Sequence, residues 1–236
     1  MFSEPSRTDI HKLFDRIACR YDIFNRISSF GMDTFWRRRL AKSLRGGKGL
    51  NILDAATGTG DLLLSLFDLG CDISSAVGID TSGKMLTIAA RKTARRNLAG
   101  KITLKQADAV DLPFTDSQFG AVTCAFGVRN FTDSAEGLKQ MHRVLKPAGK
   151  LLILEFSIPS NRVIKMFYLV YLRFIIPVLG KIITGDFNAY RYLSKTIQTF
   201  PSGEDFCRQM QKAGFADVRE IPMTFGVVTL YSGVKS

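Results

Sequence analysis

Leu53-Asp54-Ala55-Ala56-Thr57-Gly58-Thr59-Gly60-Asp61 is the stretch on which the fold turns. It closes a short apolar run, Asn51–Ala55, and leads into the leucine-rich stretch Leu62–Leu69, so it reads as strand, glycine turn and helix. Glycines at such a turn let the backbone approach a ligand closely, and the helix that follows offers free N–H groups. Asp80 ends the next apolar run, Ala76–Asp80, 20 residues after Gly60. A carboxylate there is placed to accept hydrogen bonds from ribose hydroxyls. The order of strand, turn, helix and acidic strand end points to a nucleoside-bearing cofactor. The competing reading is a tight turn with an exposed Asp.

Working outward, strands are expected at Ile102–Gln106, Ala121–Ala125 and Lys150–Glu155, with helices at Lys84–Asn97 and Ser134–Lys146. Strands alternating with helices predict an α/β fold, a doubly wound and mostly parallel sheet covered on both faces. Upstream, residues 8–45 carry Leu13, Ile17, Tyr21 and Phe24 at helical spacing. Downstream, Ser202–Ala213 reads as a helix, Ala216–Ile221 as a strand, and Phe225–Val234 as its antiparallel partner. The chain divides as one domain, 1–236: an N-terminal helical cap (1–48), a cofactor-binding core (49–158), a helical lid insertion (159–200), and a C-terminal helix with antiparallel strands (201–236).

Composition narrows the class. With 46% hydrophobic and 23% charged residues among 236, a chain disordered as a whole is excluded. Cys19, Cys71, Cys124 and Cys207 form no C-x-x-C pair and only His11 and His142 accompany them, which argues against a Cys/His zinc site. Such widely spaced cysteines read as reduced thiols of a cytosolic protein, and the polar Met1–Arg7 lacks the apolar core of a signal peptide. The net charge of +12 is concentrated: residues 1–50 hold 11 Lys/Arg against 5 Asp/Glu, and residues 160–200 hold 6 against 1. Basic surface attracts nucleic acid or anionic bilayers, or simply keeps a protein soluble. The very apolar stretch 163–183 is interrupted by Lys165, Arg173, Pro177 and Lys181. Those charges argue against a membrane-spanning helix and leave a core helix, a lid over an apolar pocket, or an interfacial helix.

The identity of the cofactor follows from charge. A dinucleotide fingerprint needs a third glycine where this chain has Leu63, and Asp54 and Asp61 flank the turn, which disfavours a pyrophosphate. A cationic ligand suits them, and S-adenosylmethionine supplies a ribose, a sulfonium and an ammonium. Gly78-Ile79-Asp80-Thr81-Ser82-Gly83-Lys84-Met85 approaches a phosphate-binding loop, but Met85 stands where the magnesium-binding hydroxyl belongs.

At this point a resemblance enters. The turn, Asp80, and Gln106-Ala107-Asp108-Ala109 followed by Leu112-Pro113-Phe114 resemble a Rossmann-like class I S-adenosylmethionine-dependent methyltransferase, whose sheet has seven strands. Tyr21-Asp22-Ile23-Phe24-Asn25 with Ser28, Gly31 and Trp36 resembles the N-terminal signature of the ubiquinone/menaquinone C-methyltransferase family. Arg143-Val144-Leu145-Lys146-Pro147-Ala148-Gly149, running on to Glu155-Phe156-Ser157, resembles its second signature; Phe126–Asn130 and Tyr190–Leu193 match further blocks. Two departures stand out, Asp33 where many members have His and Ala148 where Gly is usual. The first leaves any base at position 33 in question.

The resemblance implies that Gly58, Thr59 and Gly60 line the methionine portion of S-adenosylmethionine with Asp54 nearby. Asp80 would hold the ribose, and Asp108 with the backbone of Ala109 would face adenine. It implies C-methylation of a prenylated quinol, in most members demethylmenaquinol, with 2-methoxy-6-polyprenyl-1,4-benzoquinol as the alternative. Ring-carbon methylation of a quinol needs a proton acceptor or an oxyanion stabiliser and no metal. Arg129 and Asn130, after the fourth strand, are the catalytic candidates. Arginine stays protonated, so the expectation is that Arg129 stabilises the phenolate while Asn130 orients a water. The alternative is an arginine paired with a structural carboxylate. Tyr21, Asp22, Asn25, Trp36, Tyr190 and Tyr192 read as cover or core, and Cys124 as a buried inert thiol. A quinol partner further implies a cytoplasmic protein attached peripherally to the inner face of the membrane, with oligomeric state open. An RNA methyltransferase is the more distant alternative, but Ala125-Phe126-Gly127-Val128 replaces the Asn/Asp-Pro-Pro-aromatic run of amino-group methylases, so nucleic acid is not an expected partner.

Overall fold

The computed structural model describes residues 10–236, and the readings that fall on Met1–Arg7 and on helix before Ile10 lie outside the described residues. Helices α1 (Ile10–Ser28) and α2 (Met32–Lys42) precede β1 (Leu50–Ala55), α3 (Asp61–Asp68), β2 (Ile73–Asp80), α4 (Gly83–Arg95), β3 (Ile102–Gln106) and β4 (Phe119–Ala125). A 3₁₀ turn at Val128–Asn130 leads to α5 (Ser134–Val144) and β5 (Leu145–Phe156). Then come α6 (Arg162–Val170), a π-helical turn (Tyr171–Ile175), α7 (Ile176–Thr184), α8 (Phe187–Thr199), α9 (Glu204–Lys212), β6 (Phe215–Met223) and β7 (Val228–Lys235).

The seven strands form one sheet in the order β3-β2-β1-β4-β5-β7-β6. β1 to β5 run parallel to one another, and β7 runs antiparallel between β5 and β6. The winding reverses between β1 and β4, which is where open α/β sheets leave a crevice at their carboxyl edge. Local chemistry sets the helix starts. Ser82, Asp133, Asn161 and Asp186 each cap a helix by accepting backbone N–H bonds, and Gly60 enters α3 from the left-handed region at φ +81°.

Each face of the sheet buries its own core. Leu53, Val122, Leu138, Met141 and Ile153 belong to one, and Ile52, Leu63, Leu66, Ala121 and Leu152 to the other. A third core joins α1 to α6–α8 through Leu13, Ile17, Phe24, Leu172, Tyr190 and Leu193.

Three expectations change. The helix expected over 8–45 breaks at Phe30 and Gly31, both at positive φ. β5 starts five residues before Lys150, because Leu145 pairs with Phe119 ahead of a register shift, and Ala148 takes φ +60° there. The apolar insertion is one continuous helix, Arg162–Thr184, of 23 residues. Its charges are so spaced that an 18-residue window holds at most two, so by length and composition it is long and apolar enough to cross a membrane. The charge argument against spanning therefore fails for the sequence taken alone. What distinguishes this helix is packing: Tyr168, Leu172, Ile176 and Gly180 are buried along one side of it.

Candidate active site

The carboxyl edge of the sheet opens into a cavity of about 250 Å³ at the reversal point. It is lined by residues at or just past the ends of β1 (Ala56–Thr59, Asp61), β2 (Asp80, Thr81), β3 (Ala107–Ala109) and β4 (Phe126, Gly127), and roofed by Ile10, His11, Phe14 and Tyr21 of α1. Ala56 and Phe126, which follow β1 and β4, are non-glycine residues at φ +53° and +59°. Such backbone is held only where the surrounding structure demands it, and here both outliers line the cavity.

Of the residues expected to hold the cofactor, Asp54, Gly58, Thr59, Asp80, Asp108 and Ala109 all line this cavity. Gly60 does not; it stands behind the loop, where a Cβ would lie 3.2 Å from that of Ala89. Gly58 faces open space, with nothing within 4 Å of the position a Cβ would take. Asp80 shapes the loop, its two oxygens accepting the N–H groups of Gly58 and Ser82 at 2.8 Å each. Thr123 donates to one oxygen of Asp54 at 2.6 Å, while Oδ2 is buried with no hydrogen-bond partner. Burial pushes the carboxyls of Asp54 and Asp80 up to about 6, against the hydrogen bonds that favour ionisation. Unsatisfied Asp54 Oδ2, together with the open face of Gly58, is what a cation-bearing nucleoside ligand would complete. The donor set fits S-adenosylmethionine.

A charged bridge ties α1 to this cavity. Lys92 of α4 contacts Asp22 at 2.5 Å, Asp61 at 2.6 Å and the Thr59 hydroxyl at 3.0 Å. Burial would raise Asp61, but Arg37 and Lys92 outweigh it and hold its carboxyl below its ordinary value. Asp15 of α1 accepts from the Ser82 hydroxyl at 2.5 Å and from the backbone N–H of Lys84.

A second cavity, about 70 Å³, shares Tyr21, Arg37 and Phe126 with the first. Its walls are mostly apolar, from Phe24, Trp36, Phe156, Leu172, Leu193 and Ile197. Arg129 lines it, whereas Asn130, its chain neighbour, lines the first cavity. Arg129 Nη1 bonds Glu155 Oε1 at 2.5 Å and the carbonyl of Phe126 at 2.6 Å, while its Nε is buried without a partner. The structural-carboxylate pairing weighed from sequence is therefore present, and the Nε donor of the guanidinium is still unspent.

Sequence reasoning treated Tyr21 and Trp36 as cover and overlooked Arg37 and Glu155. Arg37 hides in the basic run Arg37–Arg39, but it falls with Asp33, Trp36 and Leu40 on the buried face of α2. Tyr190 stacks on Phe24 with ring centroids 3.9 Å apart and is a core residue. Cys124 is wholly buried, and burial raises its thiol well above the ordinary range.

Sheet order, glycine turn and acidic strand ends together define a class I S-adenosylmethionine-dependent methyltransferase. A methyltransferase of Thermotoga maritima shares the fold, with a TM-score of 0.67 at 17% identity over 95% of this chain and 99% of that one. The family described as the ubiE/COQ5 methyltransferase family matches residues 3–235, and the chain belongs to that family. It is 41% identical over 226 residues to the ubiquinone/menaquinone biosynthesis C-methyltransferase UbiE of Geotalea daltonii, covering 96% of each. It is 43% identical over 221 residues to the demethylmenaquinone methyltransferase of Thermus thermophilus, covering 94% of this chain and 99% of that one.

Proposed function

We propose that this methyltransferase alkylates a ring carbon of a reduced, prenylated quinone, demethylmenaquinol first and the methoxy-polyprenyl benzoquinol as the second reading. The observation that carries it is the aromatic and aliphatic second cavity, which shares Tyr21, Arg37 and Phe126 with the cofactor cavity and carries a guanidinium in its wall. The names of the Geotalea and Thermus relatives support the acceptor.

S-adenosylmethionine, when bound, supplies an electrophilic methyl group. Asp54, Gly58 and Thr59 would receive its methionine end, Asp80 its ribose, and Asp108 with Ala109 its adenine. The chain otherwise has to orient the ring, exclude water and manage one phenolic proton. The free Nε–H of Arg129 is suited to the oxygen that gains charge as the proton leaves. Asn130, with a free amide oxygen on the cofactor side, is suited to orient the water that takes the proton. The family's missing histidine is no obstacle on this account, since Asp33 is occupied by Arg37 at 2.5 Å.

Attachment at the cytoplasmic face of a membrane is part of the same reading, supported by the exposed apolar side of α6–α7 and its basic residues. Within one domain, 1–48 would act as cap and 159–200 as lid for the prenyl tail. The deciding experiment supplies purified protein with methyl-labelled S-adenosylmethionine and each chemically reduced quinol. Label on the naphthoquinol ring carbon is expected, label on the benzoquinol alone selects the second reading, and label on neither refutes both.

A further inference from the structure

The methyl donor carries a carboxylate besides its sulfonium and ammonium. The larger cavity presents Asp54, Asp61, Asp80 and Asp108, and among the described residues its lining contains a single Lys or Arg, Arg37. An anion cannot settle among those carboxylates without a cation or a cluster of free N–H groups. The loop has few to give: Thr57 N–H is bound to Ile79 O, Gly58 N–H to Asp80, and Gly60 N–H to Thr57 O. Arg37 is buried, and Nη1 is fixed by Asp33 at 2.5 Å. Asp33 is in turn held by the Ser29 hydroxyl at 3.1 Å and by Arg26 at 3.2 Å. Among the described residues the other terminal nitrogen, Nη2, makes no hydrogen bond, and its ion-pair contact is Asp61 at 3.7 Å.

We propose that Arg37 is the clamp for the donor's carboxylate and Asp33 its positioning partner, a role resting on the S-adenosylmethionine reading above. A planar fork braced on one side offers its remaining donors in a fixed direction, which suits a carboxylate. The aspartate that replaces the family's histidine then has a task of its own.

Calorimetry with S-adenosylhomocysteine, which keeps the carboxylate, and 5′-methylthioadenosine, which lacks it, separates the outcomes. Arg37→Gln is expected to weaken S-adenosylhomocysteine by about tenfold or more and to leave 5′-methylthioadenosine within about twofold. Binding of the second ligand also certifies a folded cavity. Arg37→Lys, the gentler variant should Gln not fold, is expected to show a smaller loss of the same selective kind, as is Asp33→Asn. Equal loss of both ligands makes Arg37 merely structural and overturns the proposal. So does unchanged affinity for both, including the case in which only the quinol KM moves. Failure of the wild-type protein to bind either ligand overturns the cofactor reading itself, and the clamp with it.

Discussion

Arg129 and Glu155 form a salt bridge in which both side chains are all but sealed from water, 1% and 0% exposed, with Arg129 lining the second cavity. Glu155 also accepts the backbone N–H groups of Arg129 and Phe156, so the carboxylate is fixed from three directions. Burial raises its carboxyl, though Arg129 opposes the shift. Removing one partner of such a pair strands a buried charge and costs about 3–5 kcal/mol. Loss of activity in Arg129→Ala would therefore mix unfolding with chemistry. Arg129→Lys keeps the charge and removes the Nε donor. It is expected to lower turnover about a hundredfold with cofactor affinity unchanged, since one oxyanion donor is worth about that much. Steady-state kinetics beside denaturant midpoints give the answer, and near-normal turnover would remove Arg129 from the chemistry.

How much of this was legible in the sequence depends on whether a residue's role is local. Gly58, Asp80 and Asp108 could be found because a strand end followed by a turn fixes where its side chains go. The β6–β7 pair could be found from two apolar runs and a short turn. Asp33 and Arg37 could not be read as a pair until their helix had a buried side. Glu155 was visible only as part of a signature, because its partner lies 26 residues away on the neighbouring strand's exit. The separation of Arg129 from Asn130 into different cavities comes from a single 3₁₀ turn, which no periodicity announces.

Protonation of Asp54 and Asp80 makes cofactor binding sensitive to pH. Both carboxyls are raised from 3.8 to about 6, chiefly by burial. A cation binds the ionised forms better, so affinity is fully present above about 6 and falls as pH drops through it. The decline approaches about tenfold per pH unit for each carboxylate involved. The sign for folding is opposite: between 3.8 and about 6 the folded state holds protons that the unfolded chain has released, so stability declines as pH rises through that window. Calorimetric titrations from pH 5 to 8 in buffers of different ionisation heat should reveal proton release near 6, and Asp54→Asn should flatten the profile. A pH-independent affinity would contradict the assignment.

Ala148 takes a φ of +60°, the left-handed region that favours glycine, which accounts for the glycine that the family resemblance leads one to expect there. A side chain in the left-handed region costs about 1–2 kcal/mol, partly offset by the entropy that glycine loses on folding. Ala148 is exposed, so little packing is lost with its methyl group. Ala148→Gly should raise stability by about 0.5–1 kcal/mol and leave kinetics untouched. A lower melting temperature would mean that the turn's strain is relieved elsewhere.

The helix Arg162–Thr184 can meet a membrane by crossing it or by lying along it, and its two sides favour the second. Tyr168, Leu172, Ile176 and Gly180 are buried, while Tyr171 reaches back to donate to the carbonyl of Ser28 at 2.5 Å. Crossing would strip those contacts and open the second cavity, which Tyr168, Tyr171 and Leu172 help to line. The other side offers Phe167, Phe174 and Ile182, exposed by 65%, 58% and 72%, at spacings of seven and eight residues. Lys165, Arg173 and Lys181 are exposed on the same helix. Apolar burial and attraction to anionic headgroups then act together. Phe167→Glu with Phe174→Glu should cut partitioning onto vesicles containing anionic lipid by at least about tenfold. Turnover of a short-tailed, water-soluble quinol should stay as it was, and added salt should weaken the wild-type attachment. Undiminished binding by the double variant would rule out this face as the docking surface. Protection of residues 162–184 from aqueous labelling on both ends, in place of one side, would mean that the helix leaves the protein and crosses.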